Sequence, residues 1–454
     1  MSVNAYETPK ADPGSNSDSG VLDKLFGFVQ VNRDERAAFS WACLWFATLL
    51  GGYYMVRPVR DALGSVGGGK DLKWLFTAVF VTMLVVVPMY SQLVSRFRRR
   101  VFVPVVYRFL IFNLVLFVLA LKFAGDAHQI YVARIFFVWV SVYVLFAMSL
   151  FWSVMADSFT SDQGKRLFGM MAGCGTLGAL LGSAFAGNMV GRLGISNLLM
   201  FPAVLMEVGL WCYRRLEASQ TISNITAQQS ATGGNPFAGF LHVAKSPYLL
   251  SICGYILLTA LCGTSLYLTQ AEIVTDAFPD PNTRVQVFAW LDFSVQSLTI
   301  ALQLIVVGRL MKFSLPLTLT VLPVVYLLSF MAIGFSRTLW VLVPGVVLTR
   351  AVVYGITVPA QGVLFTVVSR EDKYKAKNVI DTIVTRGGDA LAGQVGNQLR
   401  AAGTALSVIS WVMVPVALVW TFLAWRLGRN GLKKSQLMVA SDQKTDEPSG
   451  PTST

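Results

Sequence analysis

Residues 37–61 read AAFSWACLWFATLLGGYYMVRPVRD, an apolar run that ends in two arginines and an aspartate. Its apolar part, Ala37 to Met55, has about the 20-residue length that crosses a bilayer as a helix. The charges that close it are out of place there, since an Arg or Asp at the centre of such a helix costs roughly 2.5 to 3.5 kcal/mol on insertion scales. Ionisable groups in that setting face a bundle interior or a water-filled path, and they mark routes for ions or solutes. One segment therefore carries two readings: a membrane-spanning helix, and a polar interior for it to face.

Composition agrees with the first reading. The 454 residues are 54% hydrophobic and only 13% charged, with a mean hydropathy of +0.59. Soluble domains carry about 25% charged residues, so the chain reads as an integral membrane protein. Its net charge of +13 would suggest nucleic acid on a soluble protein; here it belongs first to topology, and no nucleic-acid partner is expected. Residues 1–20 lack a basic stretch followed by an apolar one, so no cleaved signal peptide is expected. Five scattered cysteines (Cys43, Cys174, Cys212, Cys253, Cys262) and two histidines (His128, His242) show no metal-ligand spacing, so neither a metal nor another cofactor is expected.

The bilayer ruler extends along the chain. It gives an all-α membrane protein with twelve spans, at 37–57, 72–94, 102–123, 130–156, 167–189, 195–212, 248–270, 285–307, 314–334, 338–366, 376–398 and 404–425. The expected organisation is a polar tail with a short interfacial helix (1–36), a six-helix half (37–212), a cytoplasmic linker (213–247), a second six-helix half (248–425) and a disordered cytoplasmic tail (426–454). With the N-terminus inside, 24 lysines and arginines fall on inside segments and 8 on outside loops. That bias puts both termini in the cytoplasm, and the expected location is the cell membrane as a multi-pass protein, with a bacterial inner membrane as the expected kind.

The halves show traces of a repeat. Gly52 has a counterpart 211 residues on in Gly263, which sets Arg60-Asp61 opposite Ala271-Glu272; Lys165 and Gly175 match Lys377 and Gly387 at a spacing of 212. A parallel six-plus-six repeat joined by a polar linker is the signature of the major facilitator architecture.

Two glycine patterns have to be set aside. Residues 173–178 match G-x-G-x-x-G, but a dinucleotide site needs a strand before it, and none fits inside an apolar helix. Gly169, Gly173, Gly178 and Gly182 instead recur at helical spacing, which suits close helix packing. Residues 64–71 (GSVGGGKD) approach a P-loop, but Asp71 stands where Ser or Thr should hold magnesium. No nucleophile–base pair emerges, so no enzyme is expected.

The ionisable groups in the spans carry the functional signal. Arg57, Arg60 and Asp61 (span 1), Glu272 (beyond span 7), Asp292 (span 8), Arg350 (span 10) and Arg386 and Asp389 (span 11) are candidates for a central cavity. Arg108, Asp157 and Glu207 are better explained by snorkelling and structural ion pairs. Arginines round a cavity favour an anionic cargo, because guanidinium pairs bidentately with carboxylate or phosphate. Asp61, Glu272, Asp292 and Asp389 would hold those cations in the empty site or carry a coupling proton.

Three blocks resemble a known family: Val56-Arg57-Pro58-Val59-Arg60-Asp61-Ala62-Leu63; Phe151-Trp152 with Lys165-Arg166-Leu167-Phe168-Gly169; and Lys373-Tyr374-Lys375-Ala376-Lys377-Asn378-Val379-Ile380-Asp381. They are similar to the nucleotide (ATP/ADP) translocases of bacteria and plastids, as a divergent member. The resemblance implies a twelve-span carrier that exchanges or imports nucleotides, with Arg60 at an important basic position and Lys375 and Lys377 at a second one. The sequence departs from the pattern in span 7, where Gln270 stands near the position of a family glutamate, and in Val138–Leu150, which contains no acid. An arginine also replaces the lysine before Asp61.

The expected function is secondary active transport of an anionic metabolite by alternating access, with a nucleotide such as ATP or ADP as cargo and the lipid bilayer as surroundings. Substrate-binding candidates are Arg57, Arg60, Arg350, Lys375, Lys377 and Arg386. Two alternatives stand beside it: proton-coupled transport of another organic anion or small solute, and a non-transporting membrane scaffold or sensor.

Overall fold

The computed structural model describes residues 31–32, 35–66, 68–219, 246–365 and 380–445, and among these the ordered elements are all helical. Merging contiguous segments gives twelve helical rods. Six precede the linker: α1 (Arg36–Gly64), α2 (Gly68–Arg96), α3 (Arg99–Phe123), α4 (Asp126–Ser158), α5 (Ser161–Leu198) and α6 (Met200–Ser219). Six follow it: α7 (Pro247–Ala277), α8 (Pro281–Leu302, continued by Gln303–Val307 and Gly308–Phe313), α9 (Leu315–Phe335), α10 (Leu339–Val352, continued by Val353–Thr357 and Val358–Leu364), α11 (Ile380–Val384 with Thr385–Ala401) and α12 (Leu406–Thr445).

Ten rods are long and apolar enough to cross a membrane. The two that fall short are α6, which carries Glu207, Arg214, Arg215 and Glu217, and α11, which carries Arg386, Asp389 and Arg400 among glycines and amides. By length and composition, ten of the expected twelve spans are therefore found among the described residues.

Several boundaries also differ from the sequence reading. The loop expected between spans 5 and 6 is helical: α5 runs on to Leu198 and bends at Gly194, whose φ of 72° is open to glycine at no steric penalty. Helix α6 enters the expected linker as far as Ser219, and residues 220–245 lie outside the described residues, as does the interfacial helix expected before span 1. The tail expected to be disordered from 426 is helical to Thr445. Its first turns have something to pack on: Leu427 is fully buried, Gly428 lies against Pro316, and the Lys434 ammonium sits 4.5 Å from the Tyr248 ring centroid.

Helix starts are set locally by residues that satisfy the free N–H groups of the first turn. Thr160 and Gln163 form a reciprocal capping box on α5, and Ser246, Asp280 and Ser314 cap α7, α8 and α9. Two bonds from Thr283 hold the Asp280 carboxyl below its ordinary range.

Helix α1 packs against α4, α5, α6 and α8 and is buried along most of its length. Its approach to α5 is backbone to backbone: a Cβ on Gly178 would overlap the Ala47 carbonyl, and one on Gly182 the Gly51 carbonyl. Gly175 leaves room for Phe46. Gly169 and Gly173, expected in the same packing stripe, face open space, so the close approach falls on Gly175, Gly178 and Gly182.

Short connections make most neighbouring rods antiparallel. With Ser65 at the end of α1 against Arg284 at the start of α8, and Lys434 of α12 against Tyr248 at the start of α7, Arg36 and the last turns of α12 share one side, called here the terminal side. The first six and last six rods meet on the far side. There Arg284 Nη1 of α8 donates to Ser65 Oγ at the end of α1 (3.1 Å), and Gln394 Nε2 of α11 donates to Thr77 Oγ1 of α2 (2.9 Å). Gly187 of α5 faces the Trp290 indole of α8, and the Phe76 and Tyr267 rings meet edge to face at 5.7 Å. Toward the terminal side, Arg99 pairs with Asp157, Arg108 with Glu207 (4.0 Å) and Arg166 with Glu35 (3.2 Å), each within the first set.

Candidate functional site

The site begins with helical spacing on α1. Arg57 and Asp61 are one turn apart on one face, Nε to Oδ2 at 4.0 Å. Arg60 folds onto its neighbour, placing Nη2 and Nε 2.6 and 2.9 Å from Asp61 Oδ1. Val59, fully buried, anchors the opposite face. Pro58 lies between the arginines and has no N–H to return to the Tyr54 carbonyl, so the helix is weakened where it displays its charges.

Asp292 of α8 extends this group across the boundary between the two sets. Its Oδ1 lies 3.6 Å from Arg57 Nη1 and 3.4 Å from Arg350 Nη1 of α10. The result is a chain of alternating charge, Arg350–Asp292–Arg57–Asp61–Arg60, held by α10, α8 and α1. Three guanidiniums face two carboxylates, whose side chains are each only 1% exposed. Charges so far from water are tolerated only with partners close by.

Helix α7 supplies a neutral support at every turn. Thr264 Oγ1 donates to Asp389 Oδ1 of α11 (2.7 Å), Tyr267 OH to Asp61 Oδ1 (3.0 Å), and Gln270 Oε1 accepts from Arg350 Nη2 (2.9 Å). These residues stand three apart, which puts them on one side of the helix. Tyr54 flanks Arg57, receiving a bond from Nη1 (3.3 Å) with its ring centroid 5.4 Å from the guanidinium carbon; Phe137 lies under Arg60 at 5.1 Å.

Three buried polar atoms in the cluster have no hydrogen-bond partner: Arg57 Nε, Asp292 Oδ2 and Gln270 Nε2. Buried polar groups are nearly always paired. Two unused donors and an unused acceptor in one buried cluster are suited to a ligand with both anionic and donor character.

Short π-helical turns lie next to the site in α10 (Val353–Thr357, one turn after Arg350) and α11 (Ile380–Val384, just before Arg386). A third, Gln303–Val307 in α8, reaches the first of these through Gln303 Nε2 and the Tyr354 carbonyl (3.4 Å). Such turns loosen the helical ladder and concentrate at functional sites.

The structure thus gathers Arg57, Arg60, Asp61, Asp292 and Arg350 into one network. Arg386 and Asp389 pair with each other on α11 (3.3 Å) and join through Thr264. Glu272 stands apart, its carboxylate paired with Arg400. Lys375 and Lys377 lie outside the described residues. Thr264, Tyr267, Gln270 and Tyr54 were not singled out from the sequence as site residues, and the mark that distinguishes three of them is the polar three-residue interval along an apolar α7.

Comparison with known proteins adds the wider frame. The model of the family described as Major Facilitator Superfamily matches residues 37–377. Among solved structures, a POT family transporter in complex with 5-aminolevulinic acid superposes with a TM-score of 0.63 at 10% identity, covering 86% of this chain and 96% of that one. A bacterial homologue of the iron transporter ferroportin in an inward-facing state gives 0.61 at 12% identity, with 86% and 98% covered. The POT family transporter PepTSo gives 0.58 at 13% identity, with 87% and 98% covered. The comparison with curated proteins finds no match.

Proposed function

The chain belongs to the major facilitator superfamily, and we propose that it is a secondary active, alternating-access carrier of a small organic anion, coupled to protons through Asp292. The observation that carries this reading is the position of Asp292, shared by Arg57 of the first six rods and Arg350 of the last six. An entering carboxylate or phosphate competes with Asp292 for these guanidiniums, because both offer the same bidentate geometry. Once displaced, a buried carboxylate cannot stay charged without a partner, so it takes up a proton. The Arg57–Asp292 link between the two sets is then broken, and they are released to rock about the site.

Closure on the far side, through Ser65–Arg284 and Thr77–Gln394, supports a state that opens toward the termini. In this reading α6 and α11 complete two six-helix halves, and the terminal side is cytoplasmic by the basic bias of its segments.

The balance of charge bears on the cargo. Three arginines against two aspartates leave one net positive charge in the network, which suits a mono- or dianion. A nucleoside triphosphate carries more negative charge than this network offsets, and the nucleotide reading leans on Lys375 and Lys377 for the remainder. A small organic anion is therefore the better-supported cargo.

The test is thermal stabilisation of the purified protein by a panel of mono- and dicarboxylates, phosphate monoesters and nucleotides. The reading predicts stabilisation by one of the smaller anions and its loss in Arg350→Gln. Stabilisation by none of the anions overturns it; stabilisation by ATP or ADP alone returns the nucleotide reading.

A further inference from the structure

A second site lies outside the charge network, on the wall of the first six rods. Helices α2 and α4, with Phe109 of α3, enclose a cavity of about 920 Å³. It is lined by apolar side chains apart from Thr82, Tyr90, Trp139 and, at one end, Arg134. The cavity faces the bilayer: among its lining residues Met89, Phe109 and Ile135 are 56%, 56% and 62% exposed. In a membrane, hydrocarbon fills such a space, because water would find almost no polar partners there.

The far-side end of the groove is chemically distinct. Trp74 lines it, and the Lys73 ammonium sits 5.3 Å from the Trp74 ring. The Arg134 guanidinium carbon is 5.8 Å from the Tyr131 ring, one turn nearer the start of α4, so the side chain reaches toward the membrane surface. Trp and Tyr concentrate where hydrocarbon meets headgroups, and long cations snorkel to that level. Arg134 and two interfacial rings thus stand at the mouth of a long apolar groove, with Lys73 behind Trp74 and its Cβ turned to Gly393 of α11. At that depth the bilayer presents phosphate, the group that guanidinium binds best.

We propose that the α2–α4 groove is a binding site for an anionic glycerophospholipid, with its phosphate at Arg134 and its acyl chains along the groove. The site is independent of the cargo. It also has a structural consequence, since α2 bears Thr77, which closes the far side against Gln394. A lipid wedged between α2 and α4 therefore presses on the helix that makes that contact.

The test uses purified protein equilibrated in detergent with equimolar phosphatidylglycerol and phosphatidylcholine, followed by native mass spectrometry. The expected result is retention of phosphatidylglycerol over phosphatidylcholine by at least several-fold. Arg134→Gln should abolish the preference. Ala78→Trp, which fills the groove and leaves the charge in place, should reduce retention of both lipids. Arg134→Lys, the conservative variant, should keep part of the preference and guards against a folding defect in Arg134→Gln. Equal retention of the two lipids by the wild type, retention of neither, a preference unchanged in Arg134→Gln, or retention unchanged in Ala78→Trp overturns the proposal.

Discussion

The guanidinium of Arg57 on α1 stands 3.6 Å from the carboxylate of Asp292 on α8, and this contact joins the first six rods to the last six at a point with almost no access to solvent. An ion pair in that position is both a lock and a sensor. It holds the sets together while the site is empty, and an anion that competes for Arg57 opens it.

Removing one partner of this pair strands the other. Arg57→Ala leaves Asp292 with Arg350 alone, and loss of a single partner from a buried pair costs about 3–5 kcal/mol. We expect Arg57→Ala to lower thermal stability in detergent markedly, and the double variant Arg57→Ala/Asp292→Ala to recover much of the loss. A double variant no more stable than the single one would show that the two side chains are not coupled.

The Ser65–Arg284 contact should hold the far side closed. Arg284 is 4% exposed and its bonds go to the neutral oxygens of Ser65 and Pro279, so it depends on few interactions. In a protein with its native cysteines replaced, Thr77→Cys and Gln394→Cys should cross-link readily under oxidation. Adding Arg284→Gln should slow that reaction several-fold. An unchanged rate would mean that closure does not need Arg284.

The α1–α5 approach makes a stability prediction with an internal control. Gly182→Ala puts a methyl into the Gly51 carbonyl, and overpacking of this kind costs about 1–3 kcal/mol. Gly173→Ala, whose methyl meets open space, should be close to neutral. Thermal unfolding of both variants in one detergent decides the matter, and equal destabilisation would contradict the packing described.

On the terminal side, Glu35 accepts from Gln163 (2.8 Å) and Arg166 (3.2 Å). Burial pushes its carboxyl up, but these bonds outweigh it and hold the group below its ordinary value. A depressed carboxyl contributes stability that is fully present above its unfolded value and fades as pH falls through the folded one. Glu35→Gln should therefore cost roughly 1 kcal/mol at neutral pH. The gap to the wild type should close as pH falls through the folded value and the carboxyl takes up its proton. A gap independent of pH would remove the carboxylate from the explanation.

How much of this was legible in the sequence depends on residue chemistry. Arg57, Arg60, Asp61, Asp292 and Arg350 stand out because a charge in an apolar helix is expensive and rare. Thr264, Tyr267 and Gln270 do not, since neutral polar residues are ordinary in membrane helices and only their contacts with Asp389, Asp61 and Arg350 distinguish them. Glu272 shows the opposite error. It stands out in the sequence, yet two residues past Gln270 a helix has turned by about 200°, so Glu272 faces away and pairs with Arg400. The glycine stripe was readable as a spacing, but which glycines meet α1 depends on where the two helices cross. The expected twelve spans fell to ten at α6 and α11, where Glu207, Arg214 and Arg215 on one and Arg386, Asp389 and Arg400 on the other take the helix below the hydropathy of a span.

The central claim is that Asp292 couples anion binding to a proton. The direct test is uptake of labelled succinate and glycerol 3-phosphate by proteoliposomes under an imposed pH gradient, for wild type and Asp292→Asn. The account predicts gradient-driven accumulation of at least one of these anions by the wild type. In Asp292→Asn it predicts that accumulation is lost while exchange of anion for anion continues. No gradient-driven uptake by the wild type, or accumulation that survives unchanged in Asp292→Asn, would contradict it.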